Sequence, residues 1–362
     1  MRHTFNPSTR VVGVGYTPEG LDQNPTYYEL LQEAAFKLAP EPNLTAWLVK
    51  RAHRRYGLTE TNADVASAWT DLGASGYSND GPVHDGTGVG KMPAAGFPAW
   101  MGFTGNQPKP VLCLEWRAWG SMISASSVVT KPLPKTFTYD LVDVGREVLS
   151  QLTIPVSHNF SAALHLGRSN GSLSAPLIKK TGALYTALLH DLDQLLATDP
   201  AFLLGSWLAE ARKLGGNATD CTDTVLGEKL FRCDDFMEWN ARAQLTTWHP
   251  VDSPTHPTPN PEGSGHEPWP GHINDYARKQ WAGLIGDYYL PRVAQYIEQG
   301  LQDANAGRPF DAVAMAARQA KLAYDWQTDW GNQYPTEPVG EVVATSRALY
   351  SKYAGFFASC PY

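Results

Sequence analysis

Hydrophobic and polar positions change their rhythm once, early in the chain. Residues 10–16, Arg-Val-Val-Gly-Val-Gly-Tyr, form a short β-branched run that stops at Thr17-Pro18-Glu19-Gly20. Such a run reads as one buried strand ending in a loop. No other strand stands out as clearly, and a lone strand cannot satisfy its own backbone groups. It is therefore expected to belong to a sheet whose other members are absent from these residues, which makes the chain a fragment. From residue 25 onward the apolar spacing becomes helical. Asn24 is suited to cap, and Pro25 to open, a helix running to about residue 38. Asn43 can cap the next, which ends at Gly57 after the basic turn Lys50-Arg51-Ala52-His53-Arg54-Arg55. Residues 62–72 predict a third.

Further helices are predicted near 139–152, 175–197 and 202–214, the last two opening with Pro176 and Pro200, and from about 224 to 248. Ala277, Trp281, Leu284 and Tyr288 fall at i, i+4, i+7 and i+11, one helical face, and Pro291 kinks or restarts that helix. Two more, about 310–326 and 339–356, complete the chain. Two stretches lack periodicity and are rich in Gly and Pro: residues 73–112 and the proline-dense 249–271. No internal repeat of fixed period is present. The expected architecture is mainly α: an all-helical domain over residues 25–362, preceded by a strand and loop over residues 1–24.

Composition narrows the class. Of 362 residues, 43% are apolar and 18% charged, which excludes a disordered chain or a coiled coil. The formal net charge of −7, without a basic stripe, argues against a nucleic-acid partner. Twelve Trp and sixteen Tyr are either large core residues or flat platforms for sugar rings. No stretch reaches the roughly 18 apolar residues of a membrane span. The first residues lack the apolar core of a signal peptide. Yet four N-glycosylation sequons, at Asn43, Asn159, Asn170 and Asn217, point to the secretory route. Cys221 and Cys233 are close enough to close a short loop as a disulfide, whereas Cys113 and Cys360 have no obvious partner in the sequence. No cofactor is expected.

Several motifs fail on their chemistry. The stretch Gly86-Thr87-Gly88-Val89-Gly90-Lys91-Met92 has a misplaced first glycine, no preceding strand, and a Met where a phosphate loop needs a magnesium-binding hydroxyl. Gly13-x-Gly15 lacks the third glycine of a dinucleotide fingerprint. His249, His256, His266 and His272 share no helical ligand spacing. There is no G-x-S-x-G elbow. Glu19 is different: it sits just past the end of a buried strand, with Gly20 behind it and a helix cap close after. In a β/α barrel, catalytic groups project from the C-terminal ends of strands. A glycosidase needs two such carboxyl groups, one to attack the anomeric carbon and one to protonate the leaving oxygen.

The stretch from Gly13 to Asn24, G-V-G-Y-T-P-E-G-L-D-Q-N, resembles the end of the catalytic barrel in the alpha-N-acetylglucosaminidases, glycoside hydrolase family 89, which read close to G-x-G-x-x-P-E-G-I-x-Q-N there. The similarity extends in order over roughly residues 10–350. Ala52-His53-Arg54-Arg55-Tyr56-Gly57 resembles the family's A-x-R-R-Y-G helix end. The segment Tyr139-Asp140-Leu141-Val142-Asp143, with Arg146, resembles its Y-D-L-x-D-x-x-R. Phe202-Leu203-Leu204-Gly205-Ser206-Trp207 is close to F-L-L-G-x-W. Asn240, Arg242, Gln244-Leu245-Thr246 and Trp248 fit an N-x-R-x-Q-L-T-x-W block, and Asp275 to Arg292 fit the block that follows.

This resemblance implies a small N-terminal domain, a β/α barrel and a helical domain packed over the barrel mouth, of which the chain would hold the last barrel strand and the helical domain. Glu19 would be the nucleophile of a retaining reaction, and the proton donor would be a Glu of an earlier barrel strand, in the N-terminal barrel missing from these residues. The substrate would be a glycan with terminal alpha-linked N-acetylglucosamine, such as heparan sulfate, and the complete protein would be lysosomal, vacuolar or secreted. Trp248 falls where the family places a pocket-side aromatic. Tyr77 and His84 lie where relatives carry a Y-N-C…H-N stretch facing the active site, although the Asn-Cys and His-Asn pairs differ here. Alone, the chain would be inactive for want of its acid. The alternative is a non-catalytic helical carbohydrate-binding or interaction module derived from such an enzyme.

Overall fold

The computed structural model describes residue 15 and residues 25–36, 43–77, 109–129, 131–166, 171–216, 224–226, 229–231, 233–247, 279–330 and 332–360. Among these residues the fold is eleven α-helices and one small antiparallel hairpin. The first three helices follow the sequence signals closely. Helix α1 (Pro25–Phe36) opens on its proline. Helix α2 (Leu44–Arg55) begins where the Asn43 carboxamide oxygen accepts the Ala46 amide at 2.8 Å. Helix α3 (Ala63–Ala74) begins where Asn62 accepts from Val65 at 2.9 Å. Each cap satisfies a first-turn N–H that the helix itself leaves without a partner. Gly57, at φ +67°, takes the left-handed conformation that ends α2 and that other residues adopt only with strain.

The centre is an antiparallel pair, α5 (Lys135–Leu166) and α6 (Gly171–Leu196). At 32 residues, α5 is about 48 Å long. Helix α4 (Lys109–Ala125) packs between α3 and α5. On the far side of α6, a π-helical turn (Ile285–Tyr289) runs into α9 (Leu290–Asn305), which packs on α6 and on α10 (Ala312–Gln327). Helices α7 (Leu204–Gly216) and α8 (Cys233–Leu245) form a further pair. Helix α11 (Val342–Tyr353) crosses α4, α5 and α6.

Several sequence expectations need correction. The stretch 73–112, expected to be irregular, is helical at both ends: 73–74 belong to α3, and 109–112 to α4, a helix the pattern did not predict. The segment 139–152 is only part of α5, which passes through Pro155; that proline is exposed, and its ring faces away from the core. Likewise α6 begins before Pro176 rather than at it. The helix expected from 224 starts instead at Cys233, and ahead of it Thr224–Leu226 (β1) pairs antiparallel with Lys229–Phe231 (β2). A continuous helix through Trp281 is replaced by extended chain: Leu203 and Ala282 form a parallel bridge, with the Ala282 amide donating to the Phe202 carbonyl at 2.8 Å. Trp281, Leu284 and Tyr288 are buried all the same. The proposed strand at 10–16 lies outside the described residues, save Gly15.

Cys113 and Cys360, which the sequence left without a partner, are joined in a disulfide across 247 residues. They frame an aromatic sandwich in which Trp116 of α4 stacks between Tyr350 (3.8 Å) and Phe357 (4.0 Å). On α6, Asp191 accepts from the Tyr353 hydroxyl at 2.6 Å and pairs with Lys352. The chain end is thus sealed onto the core covalently, by stacking and by charge. Most described tryptophans, namely Trp47, Trp69, Trp116, Trp119, Trp239, Trp281 and Trp326, are buried core residues. Replacing Cys113 and Cys360 together by serine should cost about 2–4 kcal/mol. Denaturant titration of parent and double variant measures it, and hydrogen exchange should show α11 losing protection first; equal unfolding midpoints would refute this role.

Candidate active-site face

Of the residues singled out for sugar chemistry, Glu19, His84 and Trp248 lie outside the described residues, as do Asn170, Asn217 and Cys221. The described structure does define the anchors from which their segments depart. Tyr77 is the first. Its ring stacks on Trp69 (6.1 Å between centroids, 16° apart), and its hydroxyl donates to the Thr26 hydroxyl at 3.2 Å. Thr26 follows Glu19 by seven residues, and Tyr77 precedes His84 by the same number. The two segments therefore share one anchoring point.

That point is braced by ion pairs. Glu29 of α1 accepts a forked pair from Arg51 at 2.9 and 2.6 Å, and the buried Arg51 guanidinium lies over the Trp69 ring at 5.4 Å. Glu33, one turn on, accepts from the Trp47 indole N–H at 2.8 Å and from Arg54 at 3.3 Å. A bidentate guanidinium–carboxylate pair fixes orientation as well as distance. Helix α1 buries little else, since Thr26 is its only buried residue, while Tyr27 and Phe36 are exposed at 57% and 91%.

A second anchor holds the end of α8. Arg242 is fully buried; it donates to Glu238 Oε1 at 2.9 and 2.7 Å and to the Trp326 carbonyl at 3.0 Å. Arg212 of α7 forms a forked pair with the same Glu238. Gln327, the last residue of α10, donates to Thr246 Oγ1 at 2.9 Å and Thr247 Oγ1 at 2.8 Å. These two buried threonines are the last before Trp248. The chain re-enters the described fold at Lys279, where Gln280 donates to Ser150 at 3.0 Å. Gly205 allows the Tyr334–Pro335 backbone to cross close by: a Cβ there would lie 2.2 Å from the Pro335 carbonyl oxygen. Gln327 carried no signal in the sequence, because an amide at a helix end is ordinarily solvated.

Glu115, on α4, was also not anticipated. It is buried, its Oε2 has no hydrogen-bond partner, and its Oε1 lies 3.7 Å from where a Cβ on Gly76, next to Tyr77, would sit. Burial, helped by the charge of Glu147 and opposed by Arg146, pushes this carboxyl well above its ordinary 4.5. Glu115 lines neither the cleft along α2 nor the one beside α10. Among the described residues no group of three or more His, Cys, Asp or Glu could hold a metal ion. Asn43 and Asn159 are exposed, Asn159 in mid-helix, and Cys233 is disulfide-bonded.

Comparison with known proteins identifies what this scaffold resembles. A family model described as the alpha-N-acetylglucosaminidase (NAGLU) C-terminal domain matches residues 47–352. Human alpha-N-acetylglucosaminidase is 29% identical over 351 residues, 96% of this chain and 40% of the human protein. The chain thus spans about 40% of the length of that relative. A family 89 glycoside hydrolase from Clostridium perfringens in complex with 2-acetamido-1,2-dideoxynojirmycin superposes with a TM-score of 0.72 at 22% identity, over 96% of this chain and 36% of that one. A variant of the Clostridium enzyme with two Glu→Gln substitutions, in complex with its substrate GlcNAc-alpha-1,4-galactose, gives 0.68 at 22%, over 92% and 34%. At that identity the solved structures show the fold.

Because its proton is held more tightly when folded, Glu115 favours the folded state fully below about pH 4.5, and that contribution is lost as pH rises towards the raised value. Glu115→Gln should therefore stabilise the protein relative to the parent increasingly from about pH 4.5 to neutrality. Melting temperatures of both proteins across that range test it; a constant difference would refute it.

Proposed function

The chain belongs to the alpha-N-acetylglucosaminidase family, matching its C-terminal domain over residues 47–352, and from that premise we propose that it supplies the nucleophile loop and the helical face of a retaining glycosidase that removes terminal alpha-linked N-acetylglucosamine. The observation that carries this reading is the meeting of the family's sequence blocks in space. The basic end of α2 meets the start of α5 through Arg55, Tyr56 and Asp140. The Trp207 indole N–H donates to the Ala241 carbonyl at 3.2 Å, joining the block at 202–207 to the one at 240–248. A scaffold this specific supports common descent of the site it serves.

In this proposal Glu19 attacks the anomeric carbon to give a covalent glycosyl-enzyme, which water hydrolyses with retention. The proton donor is a Glu of the preceding β/α barrel, which docks on α1 and its neighbours and would cover Tyr27 and Phe36. Trp248, with Tyr77 and His84, contributes the sugar-facing side of the helical domain. Retaining chemistry needs the two carboxyl groups about 5–5.5 Å apart. The Clostridium substrate complex, obtained with two glutamates changed to glutamine, supports a two-carboxyl reaction of this kind. A lysosomal, vacuolar or secreted setting is supported by the sequons and by the Cys113–Cys360 disulfide, which persists in oxidising compartments. Among the described residues no helix is long and apolar enough to cross a membrane.

The test compares three proteins on a chromogenic alpha-N-acetylglucosaminide: this chain, a longer protein that joins it to the barrel, and that longer protein carrying Glu19→Gln. The chain alone should show no turnover, since general acid assistance alone is worth about 10²–10⁴-fold and substrate positioning by the barrel more. Glu19→Gln should abolish turnover while folding and sugar binding persist, and Trp248→Ala should weaken binding with some turnover left. Turnover by the chain alone, or near-normal turnover by the Gln variant, would remove Glu19 from the role of nucleophile. Sugar binding without turnover in the intact longer protein would favour a non-catalytic module.

A further inference from the structure

A cleft of about 550 Å3 runs along the outer side of α2, between that helix, the turn at 58–61 and Thr70 of α3. Asn43, the acceptor of a sequon, forms one end of it. Val49 and Leu58 offer apolar surface, and Lys50, Glu60 and Thr61 offer charged and hydroxyl groups. From Asn43 to His53, which also lines it, α2 rises about 15 Å. The volume lies within the range of about 300–1,000 Å3 usual for small-ligand clefts. Apolar surface for the CH face of a pyranose, flanked by polar groups for its hydroxyls, is the chemistry of a sugar seat.

We infer that Asn43 carries an N-linked glycan whose first sugars lie in this cleft and hold the 58–61 turn against α2. The reading rests on the secretory placement proposed above. Three features single out Asn43. Its Oδ1 is committed to the Ala46 amide, which leaves Nδ2, the atom that is glycosylated, outside the cap interaction. It is exposed and lies in extended backbone, at φ −143° and ψ 96°, just before the helix. Asn159, also described and exposed, lies inside the 32-residue α5 and lines neither described cleft. The linkage forms when Nδ2 attacks C1 of an N-acetylglucosamine borne on a polyprenyl diphosphate. The C1–O bond to the diphosphate breaks, the polyprenyl diphosphate leaves, and Nδ2 loses one proton.

The turn the glycan covers is already tied to α2 through His53, whose Nδ1–H donates to the Val49 carbonyl (2.7 Å) while Nε2 accepts the Asn62 amide (2.9 Å). Sugars over Val49 and Leu58 would shield this junction from solvent. The cap and the glycan are separable by mutation. Asn43→Asp keeps a capping oxygen but cannot be glycosylated, and Thr45→Val keeps the side-chain shape and leaves the Asn43 cap untouched while destroying the sequon.

The protein, secreted from eukaryotic cells, is analysed by peptide mass spectrometry, hydrogen exchange and thermal melting beside both variants. Asn43 should be occupied in most molecules, and trimming to a single N-acetylglucosamine should remove part of the protection. Both variants should melt lower by about 2 °C, with faster exchange across 58–62. A protein bare at all four sequons overturns both the secretory reading and this one. Glycans elsewhere with Asn43 bare overturn this one alone. An occupied Asn43 with unchanged exchange in both variants shows that the sugars do not lie in the cleft, and an effect of Asn43→Asp without one of Thr45→Val assigns it to the side chain; either result also overturns the proposal.

Discussion

A carboxylate buried in a helix bundle must be matched, and the first turns of α5 are organised around that requirement. Asp140 accepts a fork from Arg55 at 2.8 and 3.0 Å and the Tyr56 hydroxyl at 2.7 Å, while the Trp69 indole N–H donates to the Tyr56 oxygen at 3.0 Å. Burial and the adjacent Asp140 raise the Tyr56 phenol far above its ordinary value, so it remains a donor. The residues just before Asp140 work outward from the same spot. Thr136 donates to the Arg55 carbonyl, Phe137 packs edge-on against Tyr56, Thr138 reaches Asp199, and Tyr139 stacks on Phe202. Helices α2, α3, α5 and the turn that opens α7 are therefore registered by five consecutive residues. Removing one partner of a buried pair costs about 3–5 kcal/mol, against a total stability of about 5–15 kcal/mol for a typical protein.

What could be read from the sequence followed how local the physics was. Pro25, Asn43, Asn62 and Gly57 act on their own backbone or on residues within three or four positions, and the structure has each where the pattern placed it. Helix α4 escaped because it follows a Gly/Pro-rich stretch and its apolar residues are spread too widely for one clear stripe: Trp116, Trp119, Met122 and Ile123 are all buried. A helix enclosed on several sides loses the amphipathic signal by which helices are recognised. Prolines misled in the other direction, since Pro155 and Pro176 lie inside helices that tertiary packing sustains. The Thr224–Phe231 hairpin was concealed by the helix that follows it, although Gly227-Glu228 between two β-forming triplets is a turn signal.

Long-range pairing left no trace. Nothing in the neighbourhood of Cys113 or Cys360 announces a bond across 247 residues. The proposed site rests on a different kind of signal. Glu19, Trp248 and His84 are proposed from resemblance and position rather than from energetics, whereas the residues that brace their segments are dispersed: Glu29, Arg51, Gln327 and Glu238 each look like ordinary helix-surface polar residues until their partners are known.

Those partners also explain why a helical domain would retain so many buried charges. Glu238 binds both Arg212 and Arg242, joining α7 to α8, and Arg242 reaches on to Trp326 at the end of α10. The Arg242 guanidinium lies over the rings of Trp326 and Tyr334, at 4.9 and 5.5 Å, which pays part of its desolvation. Apolar side chains of similar volume would often give equal or greater stability than such a network. What they would not give is direction. A hydrophobic contact tolerates rotation of one helix against another, whereas forked ion pairs and the Gln327 bonds to Thr246 and Thr247 allow only one register. Two of the charged networks, Glu29 with Arg51 and Glu238 with Arg212 and Arg242, lie where the segments of the proposed site leave the described fold. One holds the shared departure point of the segments that bear Glu19 and His84, and the other fixes the residues before Trp248. A proposed site carried on segments that leave a scaffold needs that scaffold to be rigid at the points of departure. Buried charge in this fold is therefore best understood as the means by which a packed helical body fixes the points from which the segments of the proposed site depart.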